Sequence, residues 1–423
     1  MKIKKILLII LAVLFAAAIP VSCGDNGNGT TEDKSRYGLK SDMKTDGQIE
    51  VNGGLSFPDE LWTAPESERY DSLDKGGAKG YFIGSYNGNT VFCYVGIPEN
   101  ASETEKVPGV VLVHGGGGTA FYEWVNFWVA RGYAAIAMDT EGMMPGAQST
   151  IDSAVRVPSI KKHGPANTAF ADYQLPAEEQ WAYHGICAVI SSNSFLRSFK
   201  EVDAGRIGIT GISYGAFLTW QAAAYDDRYV FVAPVYGSPE QKEGDTEFGK
   251  IMRDKDGAIG KLWDDGKILE GNKTPFLWYN GNKDRFFSVP ATSASDKITE
   301  QSTISLKYNL AHGHTVGGMQ AQEVFAFADQ ICLNEKGLIK VLAQPAKDRF
   351  AMEIAVPQGG NVERVTAFYT LDTVFNENTS WKFSNGGYEN GIAEAALPGN
   401  AKAFYIVAED DRGLEVSSQL IFL

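Results

Sequence analysis

The chain has 423 residues, of which 44% are hydrophobic, 12% aromatic and 21% charged. This composition is typical of a soluble globular protein and excludes a collagen, a coiled coil or a wholly disordered chain. The formal net charge of −14 at pH 7 makes the surface acidic. Because such a surface repels phosphate backbones and anionic headgroups, nucleic acid is not an expected partner.

The first residues are predicted to be a targeting segment. Residues 1–22 combine a basic start with an apolar stretch at 6–19 that is too short to cross a bilayer comfortably, which predicts a signal peptide. A small residue directly before Cys23 resembles the lipobox of bacterial lipoproteins, which implies lipidation of Cys23. The expected location is then the bacterial cell envelope, with a lipid anchor in a membrane and the protein facing the periplasm or the cell surface. Plain secretion with an unmodified Cys23 is the alternative.

Residues 23–54 are rich in Gly, Asn, Asp and Lys, which predicts a flexible tether that follows the lipidated Cys23. Periodic hydrophobic patterns begin only near residue 80. We therefore expect a catalytic domain over residues 55–337.

Strands and helices alternate through this domain. Residues 87–89 (Asn-Gly-Asn) predict a hairpin turn between the first two strands, and residues 140–176 predict a long irregular excursion. Strands are predicted at 81–86, 90–97, 109–113, 133–138, 206–210, 229–235, 275–279 and 303–310, and helices at 121–131, 177–199, 214–225 and 321–333. A hairpin followed by this alternation predicts a mostly parallel sheet flanked by helices, in the α/β-hydrolase arrangement.

The pattern changes after residue 337. Strand-like alternation recurs without long helical patterns, which predicts a small C-terminal all-β domain over residues 338–423, an Ig-like sandwich with Trp381 in its core. The strands are predicted at 349–356, 365–371, 402–408 and 415–423.

The cysteines and histidines do not form a metal motif. If Cys23 carries lipid, Cys93, Cys187 and Cys332 remain, an odd number with no C-x-x-C spacing, and we expect them to be buried hydrophobic side chains. No metal and no cofactor is predicted.

The strongest chemical motif is Gly211-Ile212-Ser213-Tyr214-Gly215. It directly follows a predicted strand and opens a predicted helix, the context in which a nucleophilic serine is exposed on a tight turn. The flanking glycines fit because such a turn leaves no room for side chains. Ser213 is the predicted nucleophile, with a glycine-rich structural turn as the alternative.

A second motif, a histidine followed by four glycines, comes after the strand at 109–113. Backbone amides of such a loop approach substrate oxygen closely, and the residue after the nucleophile supplies another amide. We therefore expect an oxyanion hole formed by Tyr214 together with Gly116 or Gly117. His114 is expected to order this loop by hydrogen bonds.

An unactivated serine needs a base and an acid that orients the base. Only His312 and His314 follow Ser213 in the chain, and both come after the strand at 303–310. His314, preceded by a glycine, is the predicted base, and His312 is the alternative. Asp284, in the loop after the strand at 275–279, is the predicted acid.

Together these motifs resemble the acetylxylan esterase and dienelactone hydrolase-like branch of the α/β hydrolases. The resemblance is carried by residues 114–118, 131–133, 181–184, 203–215 and 312–314 and runs from about residue 80 to 335. It implies a serine esterase that acts on carboxylic esters, often acyl groups on plant polysaccharide, so the expected partner is a small-molecule or carbohydrate ester.

Two other functions stay open on the sequence alone. Peptidases related to prolyl oligopeptidase share the same core, although the large N-terminal propeller that usually gates them has no room before residue 80. A non-catalytic glycan-binding lipoprotein would explain the tether and the extra β domain, but it would not need Ser213, Asp284 and a histidine in this order. The oligomeric state is not predicted.

Overall fold

The computed structural model describes residues 54–423. The predicted signal peptide, Cys23 and almost all of the tether lie outside this range, so the signal peptide, the lipidation and the tether stay predictions.

The N-terminal part of the described chain alternates strands and helices, as predicted. Its strands are β1 (Ser67–Arg69), β2 (Lys79–Gly84), β3 (Thr90–Gly96), β4 (Val107–Val113), β5 (Ala134–Met138), β6 (Met143–Pro145), β7 (Arg156–Pro158), β8 (Val202–Ile212), β9 (Val232–Val235), β10 (Phe276–Lys283) and β11 (Ser302–Ala311). Its helices are α1 (Tyr122–Val129), α2 (Trp181–Arg197), α3 (Tyr214–Tyr225), α4 (Glu247–Arg253), α5 (Ala258–Trp263), α6 (Val289–Ala294), α7 (Val316–Met319) and α8 (Gln322–Cys332).

The central sheet has the order β1-β2-β3-β5-β4-β8-β9-β10-β11. The pairs β2–β3 and β3–β5 are antiparallel, which confirms the predicted hairpin, and every pair from β5 to β11 is parallel. The strand order reverses where β4 lies between β5 and β8. In an open parallel sheet, side chains that act on a ligand gather beyond the carboxyl ends of the strands near such a reversal.

The strands at the centre of this sheet are buried on both faces. Val110 to Val113 in β4 and Ala134 to Met138 in β5 are almost fully inaccessible to solvent. This burial explains why they form continuous apolar runs and do not alternate with polar residues. Cys93, Cys187 and Cys332 are buried and form no disulfide in the described residues, as expected.

The C-terminal part consists of antiparallel strands, in agreement with a β domain. They are β12 (Lys340–Ala343), β13 (Ala351–Ala355), β14 (Val362–Thr370), β15 (Trp381–Glu389), β16 (Ile392–Ala395), β17 (Ala403–Asp410), β18 (Glu415–Ser417) and β19 (Ile421–Phe422). One layer contains β15, β14, β17, β18 and β19, and the other contains β12, β13 and β16. The second half of β15 leaves the first layer and pairs with β16 of the other.

The β domain is joined to the central sheet. Ile304 of β11 pairs with Ser417 of β18, and a shared apolar cluster contains Val289 and Ile304 together with Trp381 and Tyr405. Trp381 is therefore buried, as predicted, but at the junction between the two parts. The domain boundary at residues 337–338 stays a prediction.

None of the helices within residues 54–423 is long and apolar enough to cross a bilayer. Within the same residues there is no group of three or more His, Cys, Asp or Glu side chains that is arranged to hold a metal ion.

Candidate active site

Ser213 lies on the turn between β8 and α3, with φ +61° and ψ −123°. This conformation is unfavourable for a residue with a side chain and is found where a fold constrains a functional residue. A Cβ atom on Gly215 would lie 2.1 Å from the Val113 carbonyl oxygen, and one on Gly211 would lie 2.3 Å from Thr219 Oγ1. The two motif glycines are therefore required by close packing.

Asp284 follows β10 at the carboxyl edge of the sheet and is buried. Its Oδ1 accepts hydrogen bonds from the amides of Phe286, at 2.7 Å, and Phe287, at 2.9 Å. Two amides on one oxygen fix the carboxylate and leave the other oxygen directed at the neighbouring histidine.

That histidine is His312. Its Nδ1 lies 2.9 Å from Asp284 Oδ2, and its Nε2 lies 2.9 Å from Ser213 Oγ. In the tautomer that satisfies both contacts, Nδ1–H donates to the carboxylate and the serine hydroxyl donates to Nε2. The structure thus places His312, the alternative base, in the position expected for His314. The loop after β11 directs the earlier of the two rings between the nucleophile and the acid.

His314 approaches the same nitrogen of His312 that faces Ser213, with the two Nε2 atoms 3.3 Å apart. Its ring packs on the glycine loop, because a Cβ on Gly115 would lie 2.6 Å from His314 Cε1. Burial and the nearby His312 and His114 lower the pKa of His314 to about 4, against an opposing effect of Glu141. His314 is therefore a neutral ring at the entrance to the site near neutral pH.

The glycine loop after β4 is held by two side chains. His114 Nδ1–H donates to the Gly115 carbonyl at 2.8 Å, and His114 Nε2 accepts from the Thr140 amide at 3.0 Å, in agreement with the predicted ordering role. The Gly117 amide donates to Glu141 Oε1 at 3.1 Å. Because this amide is already engaged, Gly117 is not a free oxyanion donor.

Of the expected oxyanion donors, Tyr214 and Gly116 remain. Tyr214 is the first residue of α3, and the Ser213 side chain makes no capping bond there. The first amides of a helix have no partner within the helix, so the Tyr214 amide, at the positive end of the helix dipole, is available to a substrate oxygen. Gly116 packs against the Tyr214 ring, where a Cβ would lie 2.6 Å from Cδ2.

Glu141 is a buried side chain next to the site whose contacts the sequence does not reveal. Besides the Gly117 amide, this buried carboxylate accepts a hydrogen bond from Asn167 Nδ2 at 3.1 Å and forms an ion pair with Arg156. Arg156 and Asn167 belong to the excursion at 140–176. Glu141 therefore ties the excursion to the loop that carries the oxyanion amides.

Aromatic rings form the wall behind the histidine. The ring of Phe287 stacks on His312, with centroids 5.8 Å apart and an interplanar angle of 20°. Phe248 stacks on Phe287 at 4.6 Å and also contacts Tyr214. Such packing restricts the imidazole to the plane in which it reaches both Ser213 and Asp284.

A sheet of this order, with a serine on a strand-to-helix turn and an aspartate and a histidine at the same edge, has the α/β-hydrolase fold. Residues 77–238 match the family model described as acetyl xylan esterase (AXE1). The matched segment contains Ser213, Tyr214 and the glycine loop, which confirms the resemblance to acetyl xylan esterases over these residues and supports a hydrolase of esters.

Solved structures of similar fold were also found. Acetyl xylan esterase 1 from Thermoanaerobacterium sp. JW/SL YS485 is 17% identical, with a TM-score of 0.46 over 64% of this chain and 89% of that one. The acetyl xylan esterase from Paenibacillus sp. R4 is 16% identical, with a TM-score of 0.49 over 66% of this chain and 96% of that one. The acylaminoacyl peptidase from Pyrococcus horikoshii is 20% identical, with a TM-score of 0.47 over 64% of this chain and 44% of that one.

Proposed function

We propose that the protein is a serine carboxylesterase that removes acyl groups, in particular acetyl groups, from carbohydrate esters. One observation carries the proposal: Ser213 Oγ, the His312 ring and the Asp284 carboxylate form a continuous hydrogen-bonded series with two contacts of 2.9 Å. The match of residues 77–238 to the acetyl xylan esterase family supports esters over other acyl compounds.

In the proposed mechanism, Ser213 Oγ attacks the acyl carbon of the ester while its proton passes to His312 Nε2. Asp284 stabilises the imidazolium, and the amides of Tyr214 and Gly116 donate to the oxyanion of the tetrahedral intermediate. Collapse of the intermediate breaks the bond to the alcohol, which takes the proton from His312. Water then attacks the acyl-serine with His312 as base, which releases the carboxylic acid and restores Ser213.

The test compares wild type with Ser213→Ala on p-nitrophenyl acetate and on acetylated xylan, with release of acetate as the readout. We expect kcat to fall by about a million-fold in Ser213→Ala, as when the nucleophile of a comparable triad is removed. A matched control is Ser191→Ala, since Ser191 is a buried serine on α2 outside the site. We expect this variant to keep its activity.

Equal ester hydrolysis by wild type and Ser213→Ala would reject the proposal. Cleavage of peptidyl chromogenic substrates without ester hydrolysis would favour a peptidase. Failure of wild type to react with a fluorophosphonate probe, together with glycan binding, would favour a binding protein.

We also propose that Cys23 is lipidated and that the anchor holds the protein in the bacterial cell envelope. The basic start, the apolar stretch at residues 6–19 and the position of Cys23 support this proposal. In a bacterial host, wild type is expected to incorporate labelled palmitate and to fractionate with membranes. Cys23→Ser should do neither, and labelling of that variant at the wild-type level would contradict the proposal.

A further inference from the structure

A second concave surface lies at the junction of the central sheet and the β domain. It is a cleft of about 190 Å³ with the side chain of Tyr308 from β11 on one side and those of Phe368, Phe383, Arg364, Glu409 and Glu415 from the β domain on the other. The mechanism proposed above uses none of these residues.

Three aromatic rings lie close together in this cleft. Phe383 of β15 is directly opposite Phe368 of β14 in the strand register, and Tyr308 stacks on Phe368 with centroids 4.5 Å apart and an interplanar angle of 15°. Phe383 is 58% exposed and Tyr308 is 37% exposed. Two exposed rings, both next to the buried ring of Phe368, thus line one concave surface, as is characteristic of binding sites.

Charged side chains surround the rings. Arg364 forms an ion pair with Glu409 and lies 3.9 Å from Glu415. Glu415 also binds Lys307, at 2.8 Å. The positive and negative charges of these pairs balance one another. The cleft therefore offers hydrogen-bond donors and acceptors without an excess of positive charge.

The cleft also lies within a short distance along the chain from the candidate active site. Tyr308 and His312 are four residues apart on and just after β11, so their Cα atoms are separated by at most about 14 Å. A ligand chain of a few units is therefore long enough to span the distance from Tyr308 to His312.

We propose that this cleft binds a neutral carbohydrate chain and acts as a second subsite for a polymeric substrate. Flat aromatic faces pack against the apolar faces of sugar rings, and the surrounding Arg364 and Glu409 bond to sugar hydroxyls. The carboxylates in the cleft and the net charge of −14 disfavour a polyanion. The proposal rests on the proposed function for the identity of the substrate, but binding itself needs no catalysis.

The experiment therefore measures binding in the full chain that carries Ser213→Ala, with soluble unsubstituted xylan as the probe in affinity electrophoresis. We expect retardation by xylan and none by polygalacturonate. Adding Phe383→Ala is expected to weaken binding at least about fivefold, from the loss of one aromatic contact, and Phe383→Trp is expected to restore it. The matched control is Tyr388→Ala, because Tyr388 lies on the same strand and is 40% exposed but does not line the cleft.

A kinetic measurement adds a second readout. In the active enzyme, Phe383→Ala is expected to lower the ratio of kcat/KM for acetylated xylan to kcat/KM for p-nitrophenyl acetate, and Tyr388→Ala is not. This ratio tests the cleft separately from the catalytic residues. Loss of a catalytic residue would lower hydrolysis of both substrates and leave the ratio unchanged.

Three results would overturn the inference. One is no binding of xylan by the Ser213→Ala protein, and another is equal binding by its Phe383→Ala and Tyr388→Ala derivatives. The third is a change of the native mass from dimer to monomer on Phe383→Ala, because the cleft would then be a contact between two copies of the chain.

Discussion

The two histidines after β11 provide the sharpest test of the site, because they are two residues apart and differ in what they contact. His312 makes both hydrogen bonds of the series, to Ser213 and to Asp284. Its replacement in His312→Ala removes the proton acceptor, and removal of the base from a comparable triad costs about a million-fold in kcat. This factor corresponds to about 8 kcal/mol of transition-state stabilisation.

His314 contacts the series only through the 3.3 Å approach of its Nε2 to His312 Nε2. The loss of one such neutral contact is worth about 1 kcal/mol, so His314→Ala is expected to lower kcat/KM about tenfold or less. The predicted ratio between the two variants is therefore about five orders of magnitude.

The assay is hydrolysis of p-nitrophenyl acetate, with the concentration of competent sites measured by fluorophosphonate labelling and the fold checked by circular dichroism. A folded His314→Ala variant that loses activity as completely as His312→Ala would refute the assignment of the base.

Three further expectations concern the groups around the base. Asp284→Asn is expected to lower kcat about ten-thousand-fold, because an amide favours the wrong tautomer of His312, and a loss below tenfold would contradict the orienting role. Glu141→Gln, which breaks the ion pair with Arg156, is expected to lower kcat for p-nitrophenyl acetate about tenfold through displacement of the glycine loop, and a variant with unchanged kcat would contradict this coupling. His314, with a pKa lowered to about 4 in the folded protein, should lower stability as the pH falls from 6.5 to about 4, because the unfolded chain then takes up a proton that the folded one does not. Urea denaturation at pH 7.5 and 4.5 measures the free energy of unfolding at both pH values. Its decrease from pH 7.5 to 4.5 should be about 2 kcal/mol larger in wild type than in His314→Asn. Equal decreases in the two proteins would contradict the lowered pKa of His314.

The sequence predicts the central sheet and the serine turn well, and the reasons are local. Continuous apolar runs such as that of β4 are typical of buried parallel strands. The glycines around Ser213 are required by contacts within a few residues of the turn or with the adjacent strand. The sequence also predicts Asp284, because it lies in the loop after a predicted strand and side chains that act on a ligand gather where parallel strands end.

The choice between His312 and His314 depends on geometry that the sequence does not carry. Both follow the same strand, and the backbone near its end is irregular, with Asn309 at φ +57° and a shift in the pairing of β10 with β11. A preceding glycine does not decide which ring turns toward Ser213. The sequence also does not predict the contacts of Glu141, because Gly117 and Arg156 are not close to it in the chain.

The strands β15 and β16 are also missed by sequence reasoning. Residues 385–387 (Asn-Gly-Gly) disfavour a strand, yet β15 passes from one layer to the other at this point. A Cβ on Gly386 would lie 2.2 Å from the Glu394 carbonyl oxygen, so a glycine is needed where the two backbones approach. The short helices α4 and α5 span too few residues to produce a clear helical period.

The buried carboxylate of Glu141 has a consequence for how this protein can diversify. One side chain holds both the excursion over the active site and the loop with the stabilising amides. Insertions or substitutions in the excursion are therefore expected to displace the glycine loop unless Arg156 and Asn167 keep their places. Changes in this segment that are tolerated should therefore leave both Arg156 and Asn167 in place.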